Sequence, residues 1–318
     1  MTPLLTLIWY GTTTYTETMI EITLTANDAN RRFDRFLQAH LSQASKSLVH
    51  KLLRKKRIKL NGARAQGNEI TAIGDKVTLY LASETYESFI AKPQSAPLKN
   101  WGDIDIVYED NNVLLVNKPA GLLVHSNSPA PQDTLLGRVA YYLQGNQAAP
   151  CNRLDRNTSG LVVFGKNVPA LQALNAAFAN RQVDKVYIAL IHGRLEGSGV
   201  LKGYLQKDGE ANRSYIQDTH DESGQYVHTE YESLTAGDDY SLLKVKIFTG
   251  RSHQIRAQFA ALGYPLAGDK KYGGKAVSFR RGQMLHCMSL KFTNLDQGAL
   301  AYLSGKEWQA PVPSEFNR

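Results

Sequence analysis

The sequence predicts an α+β protein in which a small α/β module precedes a larger domain, built on a mainly antiparallel, mixed β-sheet flanked by helices and loops. The chain has 318 residues, of which 42% are hydrophobic, enough for two domains with sizeable cores. In the larger part, strand patterns are interspersed with a few helical ones, which is typical of the α+β class. Between the two parts, residues 84–103 contain two prolines and little periodicity, and they predict a linker.

The first 18 residues predict a poorly ordered tail, because a strand pattern begins at Met19, which we expect to be the natural start. The apolar run at residues 3–10 is too short to span a bilayer, and no basic segment precedes it. No later segment has 18 consecutive apolar residues, and neither of the two cysteines has metal-site spacing. The sequence therefore predicts a soluble, cytoplasmic protein without a metal site.

Residues 19–83 predict the elements of the small module. Apolar residues alternate over 19–25, as in a strand, and recur at helical spacing over 31–41. Ser45 is placed to cap a second helix. Further strands are predicted at 58–60 and 76–81, which completes a compact α+β unit.

This module holds the positive charge of the chain. The net charge is +8, and residues 28–83 contain 12 Lys or Arg against 4 Asp or Glu. Charge concentrated in this way is expected of a surface that contacts phosphates, although a solvated helix face is the plain alternative. The cations predicted to contact a phosphate backbone are Arg32, Lys46, Lys51, Arg54, Lys55, Lys56, Arg57 and Lys59.

Four short blocks of the module resemble an S4-type RNA-binding domain. They read RFDRFL at 32–37, SKS at 45–47, RIKLNG at 57–62 and GD at 74–75. The resemblance implies that RNA is the partner of residues 19–83.

Residues 104–318 predict the larger domain. Its strands are predicted at residues 104–109, 113–117, 160–165, 185–192, 231–234, 241–249 and 288–292. Its helices are predicted at residues 134–144, 169–180 and 253–262. No internal repeat is present.

The segment 152–161, NRLDRNTSGL, carries the strongest functional signal. Its RLDR core alone would read as a charged turn closed by a local salt bridge. However, Asp155 stands just before an apolar run at 161–164 that predicts a buried strand. A carboxylate in that position is unusual for a structural residue, which favours a functional site.

Four further blocks occur in a fixed order: VNKPAGLLVH at 116–125, KVYIAL at 185–190, GRSHQIR at 250–256 and LHC at 285–287. Together with 152–161 they resemble the RluA family of RNA pseudouridine synthases. The chain departs from the family pattern at Asn152, where His is usual, and at Cys287, where Ala is usual. The related RsuA branch shares the RLD core, but the HQIR block and the GD-x-x-YG block at 268–273 favour RluA.

The resemblance implies the pseudouridine synthase fold for the larger domain and an isomerase that needs no cofactor. The reaction breaks the bond between uracil N1 and ribose C1′, turns the base and rejoins it through C5. Asp155 would act as nucleophile or base, and Arg256 would be its ion-pair partner. Arg153 would contact the RNA backbone or assist base flipping, and Tyr187 would stack on the base and aid its reprotonation.

Ribosomal RNA is the favoured substrate and transfer RNA the next. Two other classes stay open at this point. A non-catalytic S4-type RNA-binding protein would not need the set Asp155, Tyr187 and Arg256. A hydrolase using Asp155 or Cys151 as nucleophile lacks a second acidic residue in the motif for glycoside hydrolysis. Of the histidines, His253 and His286 are expected to be structural hydrogen-bonding groups.

Overall fold

The computed structural model describes residues 13–16, 19–25, 28–90, 99–126, 132–145, 148–208, 213–217, 224–278, 280–295 and 298–317. The chain divides into two compact units, Met1–Pro97 and Leu98–Arg318. Each unit is described by itself.

The first unit combines three helices with a small antiparallel sheet in its described part. In chain order the elements are β1 (Thr13–Thr16), β2 (Met19–Thr23), α1 (Phe33–His40), α2 (Lys46–Arg54), β3 (Ile58–Leu60), β4 (Ala63–Arg64), β5 (Lys76–Leu79) and α3 (Ser83–Phe89). The strand order is β1-β2-β5-β3-β4. Phe33, Phe36 and Leu37 lie on one face of α1 and are fully buried, each contributing roughly 1.5–3 kcal/mol of hydrophobic stabilisation. Ser45 caps α2 as expected, since its hydroxyl accepts a hydrogen bond from the Leu48 amide at 3.2 Å.

Two expectations for this unit are wrong in part. Thr13–Thr16, placed in the predicted tail, pairs with β2, while residues 1–12 and 17–18 lie outside the described residues. The first part of the predicted linker is the helix α3, and its Tyr86 is 2% exposed within the core of the unit. The Tyr86 hydroxyl lies 2.7 Å from His40 Nε2. A seven-residue helix that buries one side chain leaves too short a pattern for sequence periodicity to detect.

The second unit is built on one large sheet. Its elements are β6 (Asp105–Glu109), β7 (Val113–Lys118), α4 (Leu135–Tyr142), β8 (Ala149–Pro150), β9 (Ser159–Gly165), α5 (Val168–Ala179), β10 (Val183–His192), β11 (Ser198–Asp208), β12 (Arg213–Gln217), β13 (Gln225–Ala236), β14 (Tyr240–Ile247), α6 (Gln254–Ala261), β15 (Leu285–Phe292) and β16 (Glu307–Gln309). The sheet runs β12-β11-β13-β14-β10-β15-β9-β7-β6, with β16 on β15 and β8 on β9. Among the described strands only β9 and β15 pair in parallel, so the predicted mainly antiparallel, mixed sheet is confirmed.

The sequence missed β11 and β12 and much of β13. These strands lie at the edge of the sheet, and their exposed side chains mix polar and apolar types. An edge strand of this kind lacks the clean alternation of a half-buried strand. In the part of the chain that the structure describes, no helix is long and apolar enough to cross a membrane.

The centre of the sheet positions the functional motifs. All seven residues of β9 are buried, because this strand is covered on both faces. Gly160 has φ +110°, and a Cβ at this position would overlap the backbone of Cys287 on β15. Only glycine permits this approach. Because Cys287 pairs with Gly160 on one side and with Tyr187 of β10 on the other, the turn before β9 lies close to Tyr187.

Candidate active site

A cavity of about 940 Å³ lies where the turn before β9 meets β10 and the start of α6. Its wall is strongly cationic. The seven Lys and Arg residues that line it are Arg153, Arg156, Arg181, Lys185, Arg251, Arg256 and Lys271. Within the described part of the chain, Asp155 is the one carboxylate in the wall. The cations of such a cavity can bind a polyanion, while the carboxylate of Asp155 can contact one group of the bound molecule.

The predicted pair of Asp155 and Arg256 is present. Arg256 Nη1 donates to Asp155 Oδ2 at 2.7 Å, across 101 residues of chain. The Asp155 side chain is 30% exposed, so the carboxylate is only partly buried. Asp155 lies on a turn, where its carbonyl accepts from the Thr158 amide at 3.1 Å. This turn holds the carboxylate at the cavity surface, where it can reach a substrate.

Arg256 is itself held by an acid to which the sequence analysis gave no role. Its Nε and Nη2 donate to the two carboxylate oxygens of Asp269 at 2.7 and 2.8 Å. Both side chains are buried. Burial alone would lower the pKa of Arg256, but the hydrogen bonds to Asp269 and the charge of Asp155 raise it above its usual value. Arg256 is therefore a fixed cation with one N–H group directed at Asp155.

The start of α6 is tied to the sheet through Gln254, which is 3% exposed. Its Oε1 accepts from the Thr249 hydroxyl at 2.8 Å and from the Arg251 amide at 3.1 Å. Its Nε2 donates to the Thr229 hydroxyl on β13 at 2.9 Å. His253, the residue before α6, has a left-handed backbone with φ 59°. The GRSHQIR block thus fixes the geometry that aims Arg256.

His253, which lines the cavity, and His286 on β15 form hydrogen bonds within the fold, as expected. His253 Nδ1 lies 2.9 Å from the Tyr272 hydroxyl. Its Nε2 lies 3.7 Å from Asp155 Oδ2, too far for a hydrogen bond. Burial lowers the pKa of His253. His286 Nδ1 lies 3.0 Å from the Ser159 hydroxyl, and burial lowers the pKa of His286 to about 4. Both imidazoles are therefore neutral near pH 7.

Tyr187 lines the same cavity and is 7% exposed. Burial, and then the adjacent Cys287 thiol, raise the pKa of Tyr187 well above its usual value. The hydroxyl therefore stays protonated near neutral pH. Tyr187 therefore lines the cavity as a neutral phenol, and its hydroxyl is hydrogen-bonded to the Cys287 thiol.

Two basic residues that the sequence analysis did not single out, Lys118 and Arg280, stabilise the turn carrying Asp155. Lys118 is fully buried, and its Nζ donates to the carbonyls of Pro119, Leu122 and Arg156 at 2.8, 2.8 and 3.1 Å. Arg280 Nη2 donates to the Ser159 hydroxyl at 3.0 Å and to the carbonyl of residue 157 at 3.3 Å. Burial lowers the pKa of Lys118 to about 7. The position of Lys118 directly before Pro119 was the sequence feature that could have pointed to the role of Lys118.

Asn152, which replaces the usual His, fastens the turn to β9. Its Oδ1 accepts from the Val163 amide at 2.8 Å, and its Nδ2 donates to the Leu161 carbonyl at 3.1 Å. The amide supplies one donor and one acceptor to the strand backbone, so the substitution leaves the Asp155 turn anchored. Arg153 is exposed at the cavity wall.

The predicted cations of the first unit are exposed or half-buried. Lys51 and Arg54 line a groove together with His50 and Arg64. Lys59 lies over the Tyr80 ring. Arg32 differs from the others, since it forms a two-point ion pair with Asp34 at 2.9 and 3.1 Å. Part of its charge is therefore already compensated.

Cys151 has none of the features of a reactive thiol. Burial raises its pKa to about 12, whereas a nucleophilic cysteine is a thiolate near neutral pH. Among the described residues, no group of three or more His, Cys, Asp or Glu side chains is arranged to hold a metal ion.

Comparison with known proteins agrees with this geometry. The family model of RNA pseudouridylate synthases matches residues 112–261. The uncharacterized RNA pseudouridine synthase YlyB of Bacillus subtilis is 30% identical over 313 residues, covering 93% of this chain and 95% of the relative. The ribosomal large subunit pseudouridine synthase D of Nitrosomonas europaea is 30% identical over 315 residues, covering 94% and 86%.

A solved structure, human RNA pseudouridylate synthase domain containing 1, superimposes with a TM-score of 0.55 at 26% identity, covering 66% of this chain and 83% of the human one. The sequence relatives span nearly the whole chain, and the structural likeness is in keeping with them. The chain belongs to the RluA family of RNA pseudouridine synthases, which are isomerases.

Proposed function

We propose that this chain isomerises specific uridines of large-subunit ribosomal RNA to pseudouridine, with Asp155 as the reacting carboxylate. The observation that carries the proposal is the Asp155 carboxylate, held by Arg256 in a cavity that, among the described residues, is lined by seven cations and no other carboxylate. The cations suit an RNA backbone, and the relative from Nitrosomonas europaea is named for the large ribosomal subunit.

The reaction needs the target uridine to leave the RNA stack and enter the cavity, at an energetic cost of a few kcal/mol. Asp155, as nucleophile or base, then promotes cleavage of the N1–C1′ bond. The freed uracil turns, and a C5–C1′ bond forms in its place. C5 loses its proton and N1 gains one, so reactant and product are isomers and no co-reactant is consumed.

The other side chains of the site act on position and charge. Arg256 places a positive charge beside the Asp155 carboxylate by binding its Oδ2 atom, and the Oδ1 atom is assigned to the reaction with the ribose. Tyr187 supplies a ring on which the base can stack, and its protonated hydroxyl, which contacts the Cys287 thiol, is assigned to the reprotonation of the base. Arg153, at the cavity wall, is placed to contact the RNA backbone beside the extruded nucleotide.

The first unit is proposed to bind the same RNA away from the target uridine. Its groove beside α2 is lined by Lys51, Arg54 and Arg64, and no carboxylate lines it within the described residues. Contacts of this kind add affinity without reading sequence, and they would help to offset the cost of base extrusion.

Pseudouridine mapping tests the proposal directly. Large-subunit ribosomal RNA from cells lacking the gene is labelled with a pseudouridine-specific reagent and compared with RNA from the parent strain. At least one site should be missing, and the wild-type chain should restore it where Asp155→Asn does not. If transfer RNA loses a site instead, the substrate assignment is wrong. If no RNA loses one, the activity itself is wrong.

A further inference from the structure

The cavity continues past Tyr187 to a charged residue on β10, Lys185. Lys185 precedes Tyr187 by two residues and lies on the same face of the strand, about 7 Å away at the usual rise per residue. It is 8% exposed and lines the cavity. The distance is comparable to one step of an extended RNA strand.

The ammonium group of Lys185 is poorly satisfied by the protein. Its Nζ donates to the Val183 carbonyl at 3.2 Å, and an ammonium group has three donors. In the described part of the chain Lys185 forms no ion pair. The carboxylate of the neighbouring residue, Asp184, forms its ion pair with Lys246 at 3.0 Å. Burial lowers the pKa of Lys185. A nearly buried cation that faces a cavity and forms no ion pair among the described residues is poised for an anionic ligand.

A second cation lies on the same side of the cavity. Arg181 follows the end of α5 with a left-handed backbone, φ 60°, at a position that favours glycine. It is exposed and lines the cavity, as does Phe178, whose ring lies 5.9 Å from Lys185 Nζ. This side of the cavity contributes two cations and no carboxylate from the described residues.

We propose that Lys185 and Arg181 form a phosphate subsite that binds the RNA backbone next to the target uridine. The inference rests on the proposed function, because it assigns these residues to the strand that carries the extruded base. Tyr187 would hold the uracil and Lys185 the neighbouring phosphate. The subsite would thereby fix how far the strand enters the cavity.

The test asks whether the loss of one side chain and the neutralisation of one phosphate affect RNA affinity through the same contact. The probe is a synthetic RNA hairpin carrying the uridine mapped in large-subunit ribosomal RNA, with a neutral methylphosphonate placed singly at each linkage flanking that uridine. Binding is measured in the Asp155→Asn background so that no turnover intervenes. One linkage should lower affinity about tenfold, the loss expected for one charge-assisted hydrogen bond.

With Lys185→Met added, affinity for the unmodified hairpin should fall about tenfold, and the same methylphosphonate should then have no further effect. Methionine suits the buried position and removes only the charge. Arg181→Gln, at an exposed position, should reduce sensitivity at the same linkage. The matched control is Lys244→Met, which removes one charge from an exposed position on β14 and should leave the linkage sensitivity as it was. In the active chain, Lys185→Met should raise KM more than it lowers kcat.

Equal methylphosphonate losses with and without Lys185 would overturn the subsite. A fall in kcat with KM unchanged would also overturn it, since Lys185 would then act on the chemistry. Both results leave the proposed function standing if wild-type protein still makes pseudouridine in the ribosomal RNA. Absence of that product would overturn the function and the subsite together.

Discussion

The two basic regions of this protein are built in opposite ways. In the first unit, the cations lie close together in sequence along α2 and the strand after it, so the charge excess of residues 28–83 is visible in the sequence. The second unit holds 24 Lys or Arg against 21 Asp or Glu and shows no such excess. Its cavity is nevertheless lined, within the described part of the chain, by seven cations and one carboxylate. A local charge count finds a basic surface carried on one helix, but not a cation-lined cavity assembled from distant segments.

The largest effect is expected from Asp155→Asn. The substitution is nearly isosteric and removes only the reacting charge, so turnover should fall at least about 100-fold. Single-turnover assays on the mapped hairpin measure the loss, and circular dichroism with RNA titration checks that fold and affinity are retained. Turnover above a few per cent of wild type would contradict the role of Asp155.

Arg256→Met should impair the second unit in both activity and stability. It leaves Asp269 buried without its bidentate partner, which should lower the free energy of unfolding by about 3–5 kcal/mol. Denaturant titration measures the change. The control is Arg251→Met, an exposed cation of the same cavity, which should leave stability nearly unchanged. Equal stabilities of the two variants would argue against a buried ion pair at Arg256.

Removing three charges from each region separates their roles. Changing Lys51, Arg54 and Arg64 to Gln should weaken RNA binding and lower the salt slope of log affinity by about 0.7–0.9 per lost phosphate contact, with kcat retained. Changing Arg153, Arg156 and Arg251 to Gln should lower the slope and also kcat. Binding across a salt series and saturation kinetics give both quantities. If the salt slope of log affinity were unchanged in the first triple variant, the basic face of α2 would be an ordinary solvated surface that does not contact RNA.

The last prediction is a pH dependence in the stability of the first unit, which leaves the active site unaffected. Burial, and then the charge of Arg31, lower the pKa of His40 from 6.5 to about 4. Between these two values the unfolded chain binds a proton that the folded unit does not, so stability should fall as pH drops from 6.5 to 4, by roughly 3 kcal/mol in total. Amide hydrogen exchange in α1 measures this. His40→Gln should flatten the profile, and an equally steep profile in that variant would exclude His40 as its cause.

Several features of the site were predictable because they are local or carried by ordered motifs. The turn before β9 and the cap at Ser45 each depend on a few consecutive residues, whereas the close approach of Gly160 to Cys287 was not predicted. The pairing of Asp155 with Arg256 was predicted from a resemblance between motif blocks and not from spacing, since 101 residues separate the two. By contrast, α3 was missed because seven residues carry too little periodicity, and β11 and β12 because edge strands mix polar and apolar side chains.

By itself, the sequence determined the α+β class, the order of the central strands along the chain, the family and the identity of the paired Asp155 and Arg256. Only the tertiary structure decided what holds that pair in place. Asp269, in a loop after α6, forms a buried ion pair with Arg256. Lys118, at the end of β7, donates a hydrogen bond to the carbonyl of Arg156. The physical reason is that a buried ion pair or a capped carbonyl depends on which backbones the sheet brings together, and strand order in the sheet differs from strand order in the chain.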